Sequence, residues 1–373
     1  MFSNNQVISL RQIRRLLILD LFGLSSLLLP GMLSNMVAGD GVFCIIAGTL
    51  LAFLYLWILK KLINRMEQDY YSFMKRTTGL IFSDICMIFY SVFFLMVSAF
   101  VVYQLTGLVR SWLLPEGSYK VICLLILIFA AYATVRGIEG KARVYEILFW
   151  IVLFPLILML VFAAKEVNVD YWTPIFHTNW SSFFQGTITV FTFLLPMIFI
   201  LFLKPFCTKP KKIFKSASVA LIVVALINIA SYMILLGTFQ SKTTHVLSRP
   251  IITLMSMVTF PGGFLARLDA IMTAVWIFSL FALINTSISY GNHILRDLFN
   301  EKKTHFCLIF SLVSVFFVCI LFFEHPAAVD FFYSYIKYVA LPVIVILPVL
   351  FLLLGIRRDK SEKRKDEINE VKS

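Results

Sequence analysis

Charged residues are scarce in this chain, and acidic residues are scarcer than basic ones. Asp, Glu, Lys and Arg make up 14% of its 373 residues, against roughly 25% in soluble domains. The 20 acidic residues are outnumbered by 33 basic ones, which gives a formal net charge of +13. The basic residues stand in short clusters between apolar runs and are not gathered on one polar face. They therefore predict membrane topology and argue against nucleic acid as a partner.

Motifs of catalysis and cofactor binding are also absent. The six cysteines form no Cys-x-x-Cys pair, and no two of the five histidines have the spacing of metal ligands. The chain contains no His-Glu-x-x-His, Gly-x-x-x-x-Gly-Lys, Gly-x-Ser-x-Gly or Gly-x-Gly-x-x-Gly sequence. We therefore expect no cofactor, no metal site and no catalytic residues, and a membrane enzyme is the least favoured function class.

Apolar residues, in contrast, reach 60% of the chain and lie in long runs. Runs such as 121–133 and 341–354 do not alternate between polar and apolar residues, so they predict helices. A spanning helix needs about 20 mainly apolar residues, so the chain is predicted to be an all-α membrane protein with about ten transmembrane helices. The predicted bounds are 9–33, 41–62, 79–112, 119–136, 142–164, 183–204, 213–237, 265–292, 305–323 and 331–355.

Two of these helices are interrupted by residues that a plain membrane anchor avoids. Helix 1 carries Asp20, Gly23 and two serines before Pro30, and helix 6 carries threonines before Pro196. Gly weakens a helix, Ser hydroxyls compete for backbone groups, and Pro removes a backbone donor. In hydrocarbon, a break is tolerated only beside protein or a water-filled cavity. We therefore predict that helices 1 and 6 are discontinuous.

The placement of the two interruptions predicts the organisation of the domain. One lies at the start of the first half and the other just past the midpoint, which is typical of two inverted repeats. We predict a 5+5 inverted repeat within a single polytopic domain, 1–355, in which the repeats are 9–164 and 183–355. A charged cytoplasmic tail, 356–373, follows this domain.

The interruptions also predict a ligand site at the membrane midplane. A half-helix N-terminus exposes backbone N–H groups that would receive a carboxylate. The alternative at helix 1 is that Gly and Ser allow close packing between helices. The predicted ligand-binding residues are Gly23, Ser25 and Ser26 in helix 1, Thr189, Thr192 and Phe193 in helix 6, Ser98 in helix 3 and Trp276 in helix 8.

Asp20 is an ionisable residue inside an apolar run. It follows Arg15 by about 7–8 Å of helix rise, which places its carboxylate within the hydrocarbon. Two interpretations remain open for Asp20: ion or proton coupling, or a structural pair with Lys204 that locks the inner gate. Glu146, one turn beyond Arg143, is predicted to form an interface pair.

The distribution of basic residues predicts the orientation of the chain. Of the 33 Lys and Arg residues, 26 fall on the side of the N-terminus, and seven fall on or near the other side. Because cytoplasmic loops are enriched in basic residues, both termini are predicted to be cytoplasmic.

Four motifs, in order along the chain, carry a resemblance to a known family. They are residues 8–12 (Ile8-Ser9-Leu10-Arg11-Gln12) leading to Pro30; Asp40; Gly137-Ile138-Glu139 with Arg143; and residues 264–270 with Trp276. The chain resembles the endospore germination permeases, the B subunits of spore germinant receptors, in the amino acid–polyamine–organocation superfamily. Residues 22–26 depart from the Gly-Thr or Gly-small pair that family members often carry at this point, so the ligand stays open.

The resemblance implies a LeuT-like transporter fold that works as one subunit of a receptor. It implies a small-molecule nutrient such as an amino acid or sugar, A-type and C-type receptor subunits as partners, and membrane lipid as surroundings. The implied location is the inner spore membrane or the bacterial cell membrane. The alternative function is a proton-coupled amino-acid permease, which shares every physical feature described above.

The orientation can be tested by labelling. Single cysteines placed at Pro210 and at Thr243 should differ in reaction with an impermeant thiol reagent in right-side-out vesicles. Thr243 should react and Pro210 should be protected, because the lysine-rich loop 209–215 is predicted to be cytoplasmic. Labelling at Pro210 with protection at Thr243 would show the reverse orientation.

Overall fold

The computed structural model describes residues 7–173, 176–244, 247, 249–257, 268–299 and 304–372, and the chain in these ranges is helical. Residues 264–267 of the last family-like motif lie outside the described residues. The helix α14 runs on to Lys372, so most of the predicted charged tail continues this helix. The α-helices are α1 (Leu10–Val37), α2 (Gly41–Arg65), α3 (Tyr70–Thr78), α4 (Leu80–Trp112), α5 (Tyr119–Val135), α6 (Gly137–Ala163), α7 (Trp180–Phe193), α8 (Phe199–Leu203), α9 (Ile213–Thr244), α10 (Pro250–Met257), α11 (Leu268–Phe299), α12 (Thr304–Glu324), α13 (Pro326–Tyr335) and α14 (Leu341–Lys372).

The long apolar helices define an integral membrane protein. Within the described ranges, 7 helical segments are long and apolar enough to span a membrane, or up to 8 when the bent segment containing α7 and α8 is included. One of them, Leu10–Arg65, contains both α1 and α2, and α5 is a shorter apolar helix of 17 residues. The predicted number of ten spans and the inverted repeat stay predictions.

The helices α1 and α2 run antiparallel, since their distant ends meet the same short segment. The N–H of Ile8, just before α1, donates to the Phe206 carbonyl at 2.7 Å. Lys204 Nζ donates to the carbonyl of Met66, just after α2. The chain therefore reverses at the 3₁₀ turn Ala38–Asp40 between the two helices.

The predicted discontinuity of helix 1 is wrong. The structure has one α-helix from Leu10 to Val37 that includes Pro30. The Ser25 hydroxyl donates back to the Leu21 carbonyl at 2.7 Å, so it is satisfied inside the helix and does not open it. Ser9 caps the first turn, because its Oγ accepts from the Gln12 N–H at 3.3 Å.

The segment predicted as helix 6 is bent where its proline occurs. The helix α7 ends at Phe193, a 3₁₀ turn Leu195–Ile198 follows, and α8 begins at Phe199. The two parts of the segment meet at an angle of 44°. Pro196 lies in this 3₁₀ turn and lacks a backbone N–H, so it cannot donate to a preceding carbonyl.

Asp40 holds the loop that precedes α7. One carboxylate oxygen accepts the N–H of Phe176 at 2.6 Å, and the other accepts the N–H of Thr178 at 3.0 Å. The start of α2 has no hydrogen bond from the Asp40 side chain. This motif residue therefore links the α1–α2 turn to the loop that leads into the bent helix.

The helix α1 lies at the centre of the bundle. It packs against α6, α7, α9 and α11, and every residue from Leu16 to Gly23 is buried. At Gly23 the approach of α11 is close, since an added Cβ would lie 2.9 Å from the carbonyl carbon and oxygen of Ser279. Gly23 therefore serves close helix packing, the alternative considered for the first interruption.

A substitution at Gly23 should show the importance of this close approach. We expect Gly23→Ala to destabilise the protein by about 1–3 kcal/mol, because the contacted atoms are backbone atoms that cannot turn aside. Thermal unfolding of the purified protein in detergent measures the change.

The matched control is Gly140→Ala in α6, whose added Cβ would meet only the side chain of Arg136, at 3.2 Å. This substitution replaces a poor helix former with a good one and should be close to neutral. Equal losses for the two variants would show that the contact between α1 and α11 is not tight.

Candidate functional site

A cavity of about 250 Å³ lies beside the bend between α7 and α8. We call it the Thr192 cavity. Its walls come from α1, α4, α7, α11 and the segment from α13 through the π-helical turn Ile336–Ala340. Its lining residues include Phe93, Phe100, Gln185, Ile188, Thr189, Thr192, Phe193, Leu283, Tyr333 and Lys337.

Most of the Thr192 cavity is apolar, and its few polar groups lie on two elements. Thr189 Oγ1 donates to the Gln185 carbonyl at 2.9 Å, and Thr192 Oγ1 donates to the Ile188 carbonyl at 2.8 Å. Both hydroxyl hydrogens are thus used within α7, while their oxygens can still accept. Lys337 supplies an ammonium donor from the π-helical turn. The cavity therefore offers acceptors on α7 and a cation on the facing segment.

The predicted ligand-binding residues are divided between two places. Thr189, Thr192 and Phe193 line the Thr192 cavity. The predicted residues of α1 do not, although the neighbouring Leu24 does. Ser98 is buried in α4, next to the lining residue Val97, and its Oγ has no partner among the described residues.

The remaining predicted residues form contacts between helices. Trp276 Nε1 donates to Ser26 Oγ at 3.1 Å, which joins α11 to α1. Asn228 Nδ2 donates to Ser25 Oγ at 3.2 Å, which joins α9 to α1. The small polar residues of α1 are therefore occupied by protein partners.

Asp20 lies in a separate buried polar cluster with residues of α6 and α11. Its side chain is only 1% exposed, and Thr286 Oγ1 donates to Asp20 Oδ1 at 2.8 Å. Lys141, which is 4% exposed, places Nζ 5.5 Å from the ring centroids of both Tyr145 and Tyr290. The Lys141 ammonium and the Asp20 carboxylate act on each other electrostatically. Asp20 Oδ2 and Lys141 Nζ nevertheless have no direct hydrogen-bond partner in the described part of the chain.

Lys141 is not among the residues predicted for the site. The bounds of predicted helix 5, 142–164, place it in the preceding loop. In the structure it lies one turn inside α6, which begins at Gly137. The signal in the sequence was its spacing of four residues from Tyr145, which places both side chains on one helix face.

The structural pair between Asp20 and Lys204, one of the two interpretations of Asp20, is wrong. Lys204 Nζ donates to the Met66 carbonyl, and Asp20 interacts with Lys141. Glu146 forms a pair at the interface between α6 and α1, because it accepts from Arg11 at 3.0 Å and from Arg15 at 3.3 Å. Arg143 pairs with Glu139, one turn away on α6.

Other features of the described residues do not offer a better site. A cavity of about 830 Å³, which we call the lipid-side cavity, lies between α4, α5, α6 and α11. Its walls include Phe129 and Val144, which are 63% and 53% exposed on apolar helices. Such faces of spanning helices contact lipid. Within the described ranges no three His, Cys, Asp or Glu side chains are grouped as metal ligands would be.

These observations define a class: a helical membrane protein with a bent spanning helix, a small cavity beside the bend and a buried charge pair between helices. Solved structures with the same fold include two transporters. A Na⁺-coupled sialic acid symporter, in a substrate-bound outward-open state, matches with a TM-score of 0.65 and 12% identity over 90% of this chain and 78% of the symporter. The nucleobase-cation-symport-1 family transporter Mhp1, with bromovinylhydantoin bound, matches with a TM-score of 0.65 and 12% identity over 83% of this chain and 71% of Mhp1.

The particular family is shown by sequence. The spore germination protein family model matches residues 7–327, and the chain belongs to this family. Spore germination protein B2 of Bacillus subtilis (strain 168) is 24% identical over 65% of this chain and 66% of B2. Spore germination protein YndE of the same strain is 21% identical over 97% of this chain and 100% of YndE. Spore germination protein A2 of that strain is 22% identical over 82% of this chain and 84% of A2.

The coupling between Asp20 and Lys141 can be measured with a double-mutant cycle. Removing one member of a buried charge pair leaves the other uncompensated, so Asp20→Asn and Lys141→Met should each destabilise the protein by about 3–5 kcal/mol. The double variant should lose clearly less than the sum of the two. Unfolding of the purified protein in detergent gives the four free energies.

The exposed pair Glu67–Arg76, with side chains 77% and 47% exposed, serves as the control cycle. Exposed pairs contribute only about 0–1 kcal/mol, so its coupling should be small. Additive losses at Asp20 and Lys141 would show that the two charges do not stabilise each other.

Proposed function

We propose that this protein is a membrane subunit of a nutrient receptor that triggers spore germination. The observation that carries the proposal is the Thr192 cavity, which lies beside the bend of α7 and α8 in a chain of the spore germination family. In our proposal the nutrient occupies this cavity and shifts the packing of the bent helix against α1 and α4. Three residues predicted from the sequence, Thr189, Thr192 and Phe193, would then contact it.

The lining of the cavity favours an amino acid with an apolar side chain over a sugar. Rings and branched side chains, among them Phe93, Phe100 and Leu283, form most of the wall. A sugar would bury many hydroxyl groups against this wall without partners. The Lys337 ammonium would attract a carboxylate, and the threonine oxygens of α7 would accept from an ammonium group.

A proton-coupled amino-acid permease is the second candidate. Asp20 and Lys141 favour it, because ionisable residues buried in a membrane domain are expensive and mark ion or proton pathways. Their cluster joins α1, α6 and α11, so a change in its charge would alter the contacts of α1 with both helices. Uptake of a radiolabelled amino acid into proteoliposomes with an imposed proton gradient separates the two candidates. A receptor that only senses its ligand shows binding without accumulation.

The family supplies the proposed partners and location. We propose assembly with A-type and C-type germinant receptor subunits in the inner spore membrane, with both termini cytoplasmic and lipid around the apolar faces. The relatives B2, A2 and YndE carry the name spore germination protein, which supports a role for this chain in spore germination. The fold shared with symporters supports a solute-binding domain.

Filling the Thr192 cavity should abolish the nutrient response. Thr192→Trp adds an indole to a cavity of about 250 Å³ and removes the space for a ligand. We expect spores carrying this variant as their receptor subunit to lose the dose-dependent germination response. Immunoblots of spore membranes must show normal accumulation, because over-packing costs about 1–3 kcal/mol.

The matched control is Phe184→Trp on the same helix, where the side chain is 64% exposed and lies outside the cavity. It should leave the response unchanged. A Thr192→Trp protein that accumulates normally and keeps the wild-type dose dependence would remove this cavity as the nutrient site.

A further inference from the structure

Another cavity, whose walls carry several polar side chains, lies where α6 begins and α11 ends. It has a volume of about 540 Å³, and we call it the Asn292 cavity. It shares no lining residue with the Thr192 cavity within the described part of the chain. The polar side chains that line it are those of Thr134, Lys141, Ser289, Tyr290, Asn292, His293, Arg296 and His305.

Several buried polar atoms of this cavity lack partners. Among the described residues, Lys141 Nζ, Tyr290 Oη, Asn292 Oδ1 and Arg296 Nε have no hydrogen bond. Lys141 and Asn292 are each only 4% exposed. Buried polar atoms in native proteins are almost always satisfied by protein, water or a ligand. The set consists of three donors, two of them on cationic side chains, and one acceptor.

The N-terminus of α6 adds further donors. Gly137, with a φ of 74°, turns the chain from α5 into α6, and no side chain caps this end of α6. Gly137 and Ile138 both line the cavity. The first N–H groups of a helix have no partners within the helix, and they attract anions together with the helix dipole.

The acidic residues nearby do not reverse this preference. Asp297 pairs with His293, at 3.4 Å between Oδ2 and Nδ1. Glu139 is paired with Arg143 and lines the lipid-side cavity, not this one. Asp20 interacts electrostatically with Lys141 but forms no hydrogen bond with its Nζ. Among the described residues, Lys141 and Arg296 are therefore the cationic side chains that line the Asn292 cavity with a donor still unsatisfied.

We propose that the Asn292 cavity is a second solute site, which binds a small carboxylate that also carries an amino or hydroxyl donor. The carboxylate interacts with Lys141, Arg296 and the N-terminus of α6. The donor group satisfies Asn292 Oδ1. This site is independent of the nutrient site in the Thr192 cavity, and neither proposal depends on the other.

Glycolate, a small hydroxy acid, is the probe for the test. The full-length protein carries Thr192→Trp, which closes the other cavity, and is studied in lipid nanodiscs. A ligand that binds the native state raises the thermal unfolding midpoint in a saturable way. We expect such a rise with glycolate. Ethylene glycol, which has the hydroxyl groups without the carboxylate, should produce none.

Two variants locate the glycolate site. Arg296→Gln removes a cationic donor, and Asn292→Asp keeps the shape but places a carboxylate in the cavity. Each should weaken the apparent glycolate affinity about tenfold or more, as loss of one charge-assisted hydrogen bond does. Each variant is compared with its own unliganded midpoint, so a change in basal stability does not enter the result.

The matched control is Arg136→Gln, which removes the same charge one residue before α6 but lines the lipid-side cavity. It should leave glycolate binding unchanged. Three results would overturn the proposal: no saturable rise with glycolate, an equal rise with ethylene glycol, or an equal loss in the Arg136 control. Glycolate binding that is present in the wild type and absent with Thr192→Trp would place the site in the Thr192 cavity and also overturn it.

Discussion

The Asp20 carboxylate, which accepts the Thr286 hydroxyl at 2.8 Å, is the contact on which the arrangement of α1, α6 and α11 depends. A charge in hydrocarbon is tolerated only with compensating partners. Thr286 supplies a hydrogen bond from α11, and Lys141 supplies an opposite charge from α6. The three helices therefore have to approach one another at this depth. Gly23, one turn further along α1, permits the close approach to Ser279 on α11.

Hydroxyl-bearing residues do not break either of the two segments for which a discontinuity is predicted. In α1 the hydroxyls of Ser25 and Ser26 find partners on their own helix and on α9 and α11. In α7 the hydroxyls of Thr189 and Thr192 donate to carbonyls of their own helix. Each segment also contains a proline, but α1 continues through Pro30, whereas Pro196 lies in the 3₁₀ turn at the bend. A proline therefore marks the bend but is not sufficient to produce one.

One helix, α11, contributes to the walls of both cavities. Leu283 lines the Thr192 cavity, and Asn292 lines the other, more than two turns along the helix. Between these two positions, Thr286 of α11 donates to Asp20, and Tyr290 of α11 lies near Lys141, which itself lines the Asn292 cavity. A change in the packing of α11 would therefore affect both cavities and the charge cluster together.

Hydropathy, the proline at 196 and the order of short motifs predicted the helical membrane class, the bent second segment and the family. The membrane class depends on a local property, because an apolar run of about 20 residues favours a spanning helix whatever surrounds it. A proline is a weaker signal, since Pro196 lies at a bend while Pro30 lies inside a continuous helix. The partners of the charges could not be predicted in this way. In the sequence, Lys141 stands in a basic cluster, but in the folded protein it interacts with Asp20. Glu146 stands one turn from Arg143 in the sequence, but in the folded protein it pairs with Arg11 and Arg15. The partner of a buried side chain depends on which helices pack together and on their rotation, and residues more than 100 positions apart determine both.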